Sequence, residues 1–220
     1  MSSFILRLIA ITTMLIDHIG AVLMQNSEYY QLFRLIGRLS FPLFCFLVVE
    51  GVVHTKNIRN YVVRMFLFAL ISEIPYDLVF YGRIFYPEAQ NVFWTLLLGI
   101  ILAGLCFHVQ AVRTNMVFRL ILAGVFAYAA YIVKGDYDAM GVLLIFCLAE
   151  SRVAGTAIQG LVSAFYALTV YGVQLNTFAG VSGIFMALYN GQPGSRKLKY
   201  FFYCFYPVHL FILFLIAKYY

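Results

Sequence analysis

The chain is a succession of apolar runs, roughly 4–24, 33–53, 58–81, 91–109, 116–133, 138–151, 154–173, 176–190 and 200–219, separated by short polar connections. An α-helix rising 1.5 Å per residue needs about 20 residues to cross a hydrocarbon core of about 30 Å. In lipid every backbone N–H and C=O must be bonded internally, so such runs allow only helices or a closed barrel. The runs do not alternate polar with apolar residues, which excludes the barrel. A composition that is 64% hydrophobic and 11% charged excludes a soluble globular domain. The sequence therefore predicts an all-α, polytopic integral membrane bundle of about nine transmembrane helices, a single domain over residues 1–220 with the lipid bilayer as its main partner. The sixth and eighth runs are short, and either is a candidate re-entrant segment.

The net charge of +6 does not point to nucleic acid, because the basic residues lie in short clusters between apolar runs and form no stripe. His54, Lys56, Arg59 and Arg64 mark the second connection, Arg113 and Arg119 the fourth, Arg152 the sixth, and Arg196, Lys197 and Lys199 the eighth. The odd connections offer Glu28, then Arg83 with Glu88, then Lys134, Asp136 and Asp138. Cytoplasmic loops collect Lys and Arg, so the even connections and the N-terminus are expected in the cytoplasm. The first run is too long for a signal sequence, carries Arg7 and lacks a small-residue exit. Cys45, Cys106, Cys147 and Cys204 stand singly inside apolar runs, so neither a disulfide nor a metal site is expected.

With that orientation, several runs aim polar groups at one depth in the outer half of the bilayer. The first holds Asp17 and His18 in LIDHIG, the second Arg38 in GRLSFP, and the third Glu73 and Asp77 on one face around Pro75. Asn91 and Thr95 open the fourth run and Asp138 the sixth. Ionisable groups at this depth cost a few kcal/mol each unless they pair or face a hydrated cavity. A layer of them that includes an imidazole reads as a site. Adjacent helical residues point about 100° apart, so Asp17 is expected to face a neighbour such as Arg38, leaving Glu73 or Asp77 to orient His18. Arg7 lies eleven residues before His18, on nearly the same face and about 16 Å away along the axis, either as a snorkelling anchor or as part of a path from the inner boundary. In the ninth run Tyr206 precedes Pro207 and His209, and His209 either faces the cavity or bonds the carbonyl that Pro207 frees. Glu50 and His54 read as an i, i+4 pair at a helix end.

The segments LRLIAITTMLIDHIG, RLIGRLSFPLFCFLVVEG, FALISEIPYDL, QNVFWTLLLG, DYDAMGVLLI and FYPVHL resemble, in order, the successive motifs of the TraX family, over nearly the whole chain. More distantly, Arg7 and His18 and the run GRLSFPLFCFLVVEG are similar to the first two spans of the acyltransferase-3 membrane family, although this chain is shorter and has Asp17 where that family has an apolar residue. The resemblance implies a membrane acetyltransferase of the bacterial inner membrane. It would move an acetyl group from cytoplasmic acetyl-CoA to an amine or hydroxyl, on pilin or on an envelope glycan or lipid. A homodimer is left open.

In that chemistry His18 is the expected general base, with Asp17, Arg38, Glu73 and Asp77 completing the catalytic group. Asn91, Thr95, Asp138, Tyr206 and His209 are expected around the acceptor, and Arg7, Glu50, His54, Lys56, Arg59 and Arg64 around the CoA. Two other classes fit the same residues. A proton-coupled transporter would use the Asp, Glu and His side chains as a relay. A non-catalytic assembly scaffold would use them to hold helices together.

Overall fold

The computed structural model describes residues 1–171, 173–195 and 199–219, with side chains for all of these except 169–171, 173–178 and 199. The sequence-predicted basic residues Arg196 and Lys197, and the side chain of Lys199, lie outside the described residues. Eleven α-helices are described: α1 (Ser3–Leu23), α2 (Tyr30–Gly37), α3 (Ser40–His54), α4 (Ile58–Tyr81), α5 (Val92–His108), α6 (Gln110–Arg113), α7 (Met116–Val133), α8 (Asp138–Ser151), α9 (Thr156–Tyr171), α10 (Val173–Ala187) and α11 (Lys199–Tyr219). No strand occurs among the described residues, only an isolated bridge between Gln90 and Gly135.

Among the described residues every apolar run forms helix, and the second is broken into two. That second run breaks between Gly37 and Ser40 because Pro42 has no N–H for the carbonyl four residues earlier, and its ring crowds that carbonyl. Three helices begin on asparagine. The side chain of Asn57 accepts from the N–H of Asn60, that of Asn91 from Phe93, and that of Asn115 from Val117 and Phe118. Each satisfies a donor that the first turn otherwise leaves unpaired.

Four helical stretches are long and apolar enough to cross a membrane: Ser3–Leu23, Tyr30–His54, Met116–Val133 and Tyr200–Tyr219. The 24-residue α4 has the length as well, but carries Arg59, Arg64, Glu73 and Asp77. Helix α7 turns Val117, Phe118, Leu120, Ile121, Val125 and Ile132 outward, and α4 does the same with Phe66, Leu67, Leu70, Ile71 and Ile74. Exposed apolar surface on this scale fits lipid contact. The fold is that of an all-helical membrane protein.

Helix α3 is the axis of the bundle and packs on α1, α5, α8 and α10. Around it Leu6, Leu43, Phe46, Val49, Ile100, Leu144, Ile145 and Leu148 have no solvent-accessible surface. Two close approaches need glycine. A Cβ on Gly37 would lie 2.1 Å from Cβ of Asp17, so α2 rests directly on α1 there. A Cβ on Gly160 would lie 2.4 Å from the carbonyl oxygen of Gly183, which lets α9 and α10 touch along their backbones, with Ser163 and Ser182 bonded at 3.0 Å beside them.

Two cations read from the sequence as loop charges are neutralised inside the fold. Arg119 pairs with Glu150 at 2.5 Å and Arg152 with Glu50 at 2.8 Å. The first residues are tied down too. The Met1 ammonium donates to the Leu188 carbonyl, and Ser3 donates through its N–H to Gln192 and through Oγ to Pro193, each at 2.9 Å. These bonds bring the start of α1 to the segment that leads into α11.

Gly37→Ala is expected to cost about 1–3 kcal/mol by overpacking against Asp17. Gly124→Ala, on α7 with open space around it, should be neutral or slightly stabilising. Thermal unfolding of the two variants in detergent micelles checks this, and equal midpoints would contradict it.

Candidate functional site

A cavity of ≈ 380 Å³ opens where α1, α2, α3 and α4 meet the 134–138 segment. Met14, Asp17, His18 and Ala21 face it from α1, one per helical turn along a single stripe apart from the Asp17–His18 neighbours. Arg34 and Arg38 enter it from α2 and the break behind it, and Tyr206 from α11.

Asp17 faces Arg34 as well as Arg38, the neighbour that the sequence suggested. Asp17 Oδ2 pairs with Arg34 Nη1 at 2.9 Å, while Arg38 lines the same cavity one turn further on. Arg34 precedes Arg38 by four residues and therefore shares its face, and the contact of Gly37 with Asp17 brings that face onto α1. Arg34 was legible as the i−4 neighbour of Arg38 but was not singled out.

His18 is oriented by His209, which replaces both Glu73 and Asp77 in the role the sequence suggested for them. His18 Nδ1 lies 2.7 Å from His209 Nε2, and the ring planes agree within 3°. His209 Nδ1 is 2.7 Å from the Phe205 carbonyl oxygen, which can only accept. With both rings neutral, the tautomers follow. His209 keeps its proton on Nδ1, its Nε2 accepts from His18 Nδ1–H, and His18 Nε2 is left as an unprotonated base. The carbonyl freed by Pro207 is that of Tyr203, four residues back, so His209 does not serve it. The edges of Phe80 and Tyr206 approach the His18 ring at centroid distances of 5.6 and 6.1 Å.

Glu73, Asp77, Asn91, Thr95 and Asp138 do not line this cavity. Glu73 Oε1 accepts from Asn91 Nδ2 at 2.6 Å and Trp94 Nε1 at 2.5 Å, and Asn91 Nδ2 also donates to the Ala69 carbonyl at 2.8 Å. The cluster stitches α4 to α5. Asp77 is buried and accepts from the Tyr86 N–H at 2.8 Å, holding the connection that follows α4. Thr95 is buried against Gly135, and Asp138 opens α8 with φ 45° and its side chain exposed. Helices α4 and α5 turn Glu73 and Asn91 toward each other instead of toward the cavity.

Asp136 takes the place these residues were expected to fill. Gln90 donates to the Lys134 carbonyl at 2.9 Å, Lys134 pairs with Glu88, and Tyr137 stacks on Phe41 at 3.4 Å, so two loops and α3 hold Asp136 over the cavity. Its carboxylate keeps accessible surface because it lines the cavity, yet the surrounding walls remove bulk solvation. That desolvation, reinforced by Asp17 and Asp138 and opposed by Arg34 and Arg38, pushes its carboxyl up to about 6. In the sequence it stood only as a loop charge.

A second cavity of ≈ 470 Å³ lies toward the opposite end of α1. Arg7, His54, Lys56 and Arg64 line it together with Tyr61 and Tyr203, so four of the residues expected around CoA meet there. Arg59 and Glu50 do not line it. Glu50 instead pairs with His54 at 3.6 Å, as its spacing predicted, and with Arg152. The Arg7 guanidinium sits 5.8 Å from the Phe202 ring centroid and that of Arg64 5.7 Å from Tyr61, so aromatic faces steady both.

The folded chain holds a proton on Asp136 up to about 6, while an unfolded one releases it near 3.8. Its contribution to stability is therefore present at low pH and is lost as pH rises from about 4 to about 6. Unfolding midpoints in micelles across that range should fall for the native chain relative to Asp136→Asn, and parallel curves would count against the assignment.

A family model described as TraX protein matches residues 2–217. The probable fimbrial assembly protein FimC, serogroup H1, of Dichelobacter nodosus is 30% identical over 234 aligned positions, covering 96% of this chain and 94% of that protein. No solved structure gives a significant match.

Proposed function

This chain belongs to the TraX family, and from that premise we propose that it is a multi-pass acetyltransferase of the bacterial inner membrane, with about nine spans and a cytoplasmic N-terminus. Acetyl-CoA enters the cavity around Arg7 from the cytoplasm, and an amine or hydroxyl enters the cavity around His18 from outside. The observation that carries the reading is the placing of a cationic cavity and a histidine cavity at opposite ends of one helix, with Arg7 and His18 on nearly the same face of α1.

Arg7, Lys56 and Arg64 supply the cations that CoA phosphates require, and the tyrosines and apolar groups beside them suit the uncharged pantetheine arm. Eleven residues of helix separate Arg7 from His18 by about 16 Å, a gap that a long flexible thioester arm can bridge. At the other end His18 Nε2 takes the proton from the acceptor as its nitrogen or oxygen bonds to the acetyl carbonyl carbon. The C–S bond then breaks, and the departing thiolate receives that proton from His18. His209 holds the ring in the tautomer this needs, and bonds the imidazolium once it forms. Arg34 and Arg38 lie where they can stabilise the oxyanion of the tetrahedral intermediate.

Dichelobacter nodosus FimC is named for fimbrial assembly, which favours a fimbrial or pilin subunit as acceptor over an envelope glycan or lipid. Transport draws less support. A relay would need its carboxylates in one chain, and Glu73 and Asp77 are bonded to Asn91, Trp94 and Tyr86 instead.

Purified protein in liposomes, given labelled acetyl-CoA and a peptide carrying a pilin N-terminus, tests the reading. His18→Ala should lower transfer by roughly 10²- to 10⁴-fold, and His209→Ala should lower kcat with little change in the KM for acetyl-CoA. Transfer that survives His18→Ala unchanged would overturn the assignment.

A further inference from the structure

Helix α3 runs through the centre of the bundle, and from Ser40 to Glu50 every residue on it is buried except Phe44. A helix enclosed on all sides offers its one accessible ring to a void inside the protein, not to lipid. Phe44 lines both cavities, the one that holds His18 and the one that holds Arg7.

Two further rings line one cavity each and meet each other. Phe93 belongs to the lining of the Arg7 cavity and Tyr206 to that of the His18 cavity, and their rings meet edge to face at 4.9 Å and 69°. Both are buried, at 7% and 4% exposure, so their positions are set by packing. Phe44, less buried than either, is the one residue common to both linings, so the septum between the cavities includes its ring.

We propose that Phe44 is the specificity-determining residue for the acyl group, closing the passage around a two-carbon acyl chain and shutting water of the outer cavity away from the thioester. The inference rests on the acetyl-transfer reading above. Held by its phosphates near Arg7, Lys56 and Arg64, the donor presents its carbonyl carbon to His18 only by carrying the acyl group past Phe44. One methylene too many against a packed apolar wall lowers kcat/KM by about 10- to 200-fold. The chemistry is unchanged for any chain length: the C–S bond breaks, the acceptor–carbon bond forms, and the acceptor proton reaches the thiolate through His18. When water is the acceptor, the same balance yields the free acid and CoA thiol.

The test compares acetyl-, propionyl- and butyryl-CoA with the full chain in liposomes, scoring both transfer to the peptide and acceptor-free hydrolysis. The native chain should prefer acetyl over propionyl by at least about tenfold, and Phe44→Ala should narrow that to about threefold or less, with hydrolysis rising. Phe44→Leu should fall between them and keeps the test decisive if the alanine variant does not fold. Val49→Ala removes buried volume from the same helix but lines neither cavity, and should retain the native preference. Phe44 variants that transfer acetyl with the native preference and native hydrolysis would overturn the septum alone. A native chain inactive with every donor would overturn acetyl transfer, and this proposal with it.

Discussion

An ionised side chain surrounded by protein and lipid must be paired or wetted, because the low dielectric makes its isolated charge cost several kcal/mol. Most of what is distinctive here follows from how that requirement is met. Asp17 is met by Arg34, Glu50 by Arg152 and His54, and Glu150 by Arg119. Each pair joins consecutive helices, segments distant in sequence or turns of one helix, so the charges that would be liabilities become ties. Around the His18 cavity the balance is different. Two carboxylates and two guanidiniums face a shared hollow, and one of the carboxylates, Asp136, is held there by loops and not by a partner.

The histidine pair obeys the same requirement by another route. A carbonyl that can only accept fixes the proton on His209, and His209 in turn fixes the proton on His18. No carboxylate is needed to set the tautomer, and the lone pair on His18 Nε2 is a consequence of backbone geometry on α11. The polar work of the cavity is thereby divided. The base is set by a neutral chain of hydrogen bonds, and the field around it by Asp17, Arg34, Arg38 and Asp136. In the proposed reaction, positive charge gained by His18 and negative charge gained by the acyl oxygen appear within a site already furnished with both signs.

How the candidate site was legible depends on the distance over which each residue acts. His18 and Arg7 stood out because a polar side chain in an apolar run is conspicuous at once, and helical periodicity relates them without any tertiary knowledge. Glu50 and His54 were readable for the same reason. Glu73, Asp77, Asn91 and Thr95 were equally conspicuous, but a position along a helix does not determine direction. A helix can turn such groups to a cavity or to a neighbouring helix with equal ease, and α4 and α5 turn them to each other. Asp136 escaped notice because a carboxylate between two runs looks solvated, and only the meeting of two loops over the cavity places it beside Asp17, Arg34 and Arg38.

Composition, run length and the lack of alternation were sufficient by themselves to determine an all-helical membrane protein and the ends of most of its helices, because hydrogen-bond satisfaction in lipid leaves few other structures. Motif order along the chain was sufficient for the family. Only the tertiary structure decided that His209 and not Glu73 or Asp77 bonds His18, that Arg34 joins Arg38 beside Asp17, and that Phe44 lines two cavities. Those outcomes depend on the rotation of each helix about its axis, which is settled by side-chain packing between segments remote in sequence and leaves no periodic trace in any one of them.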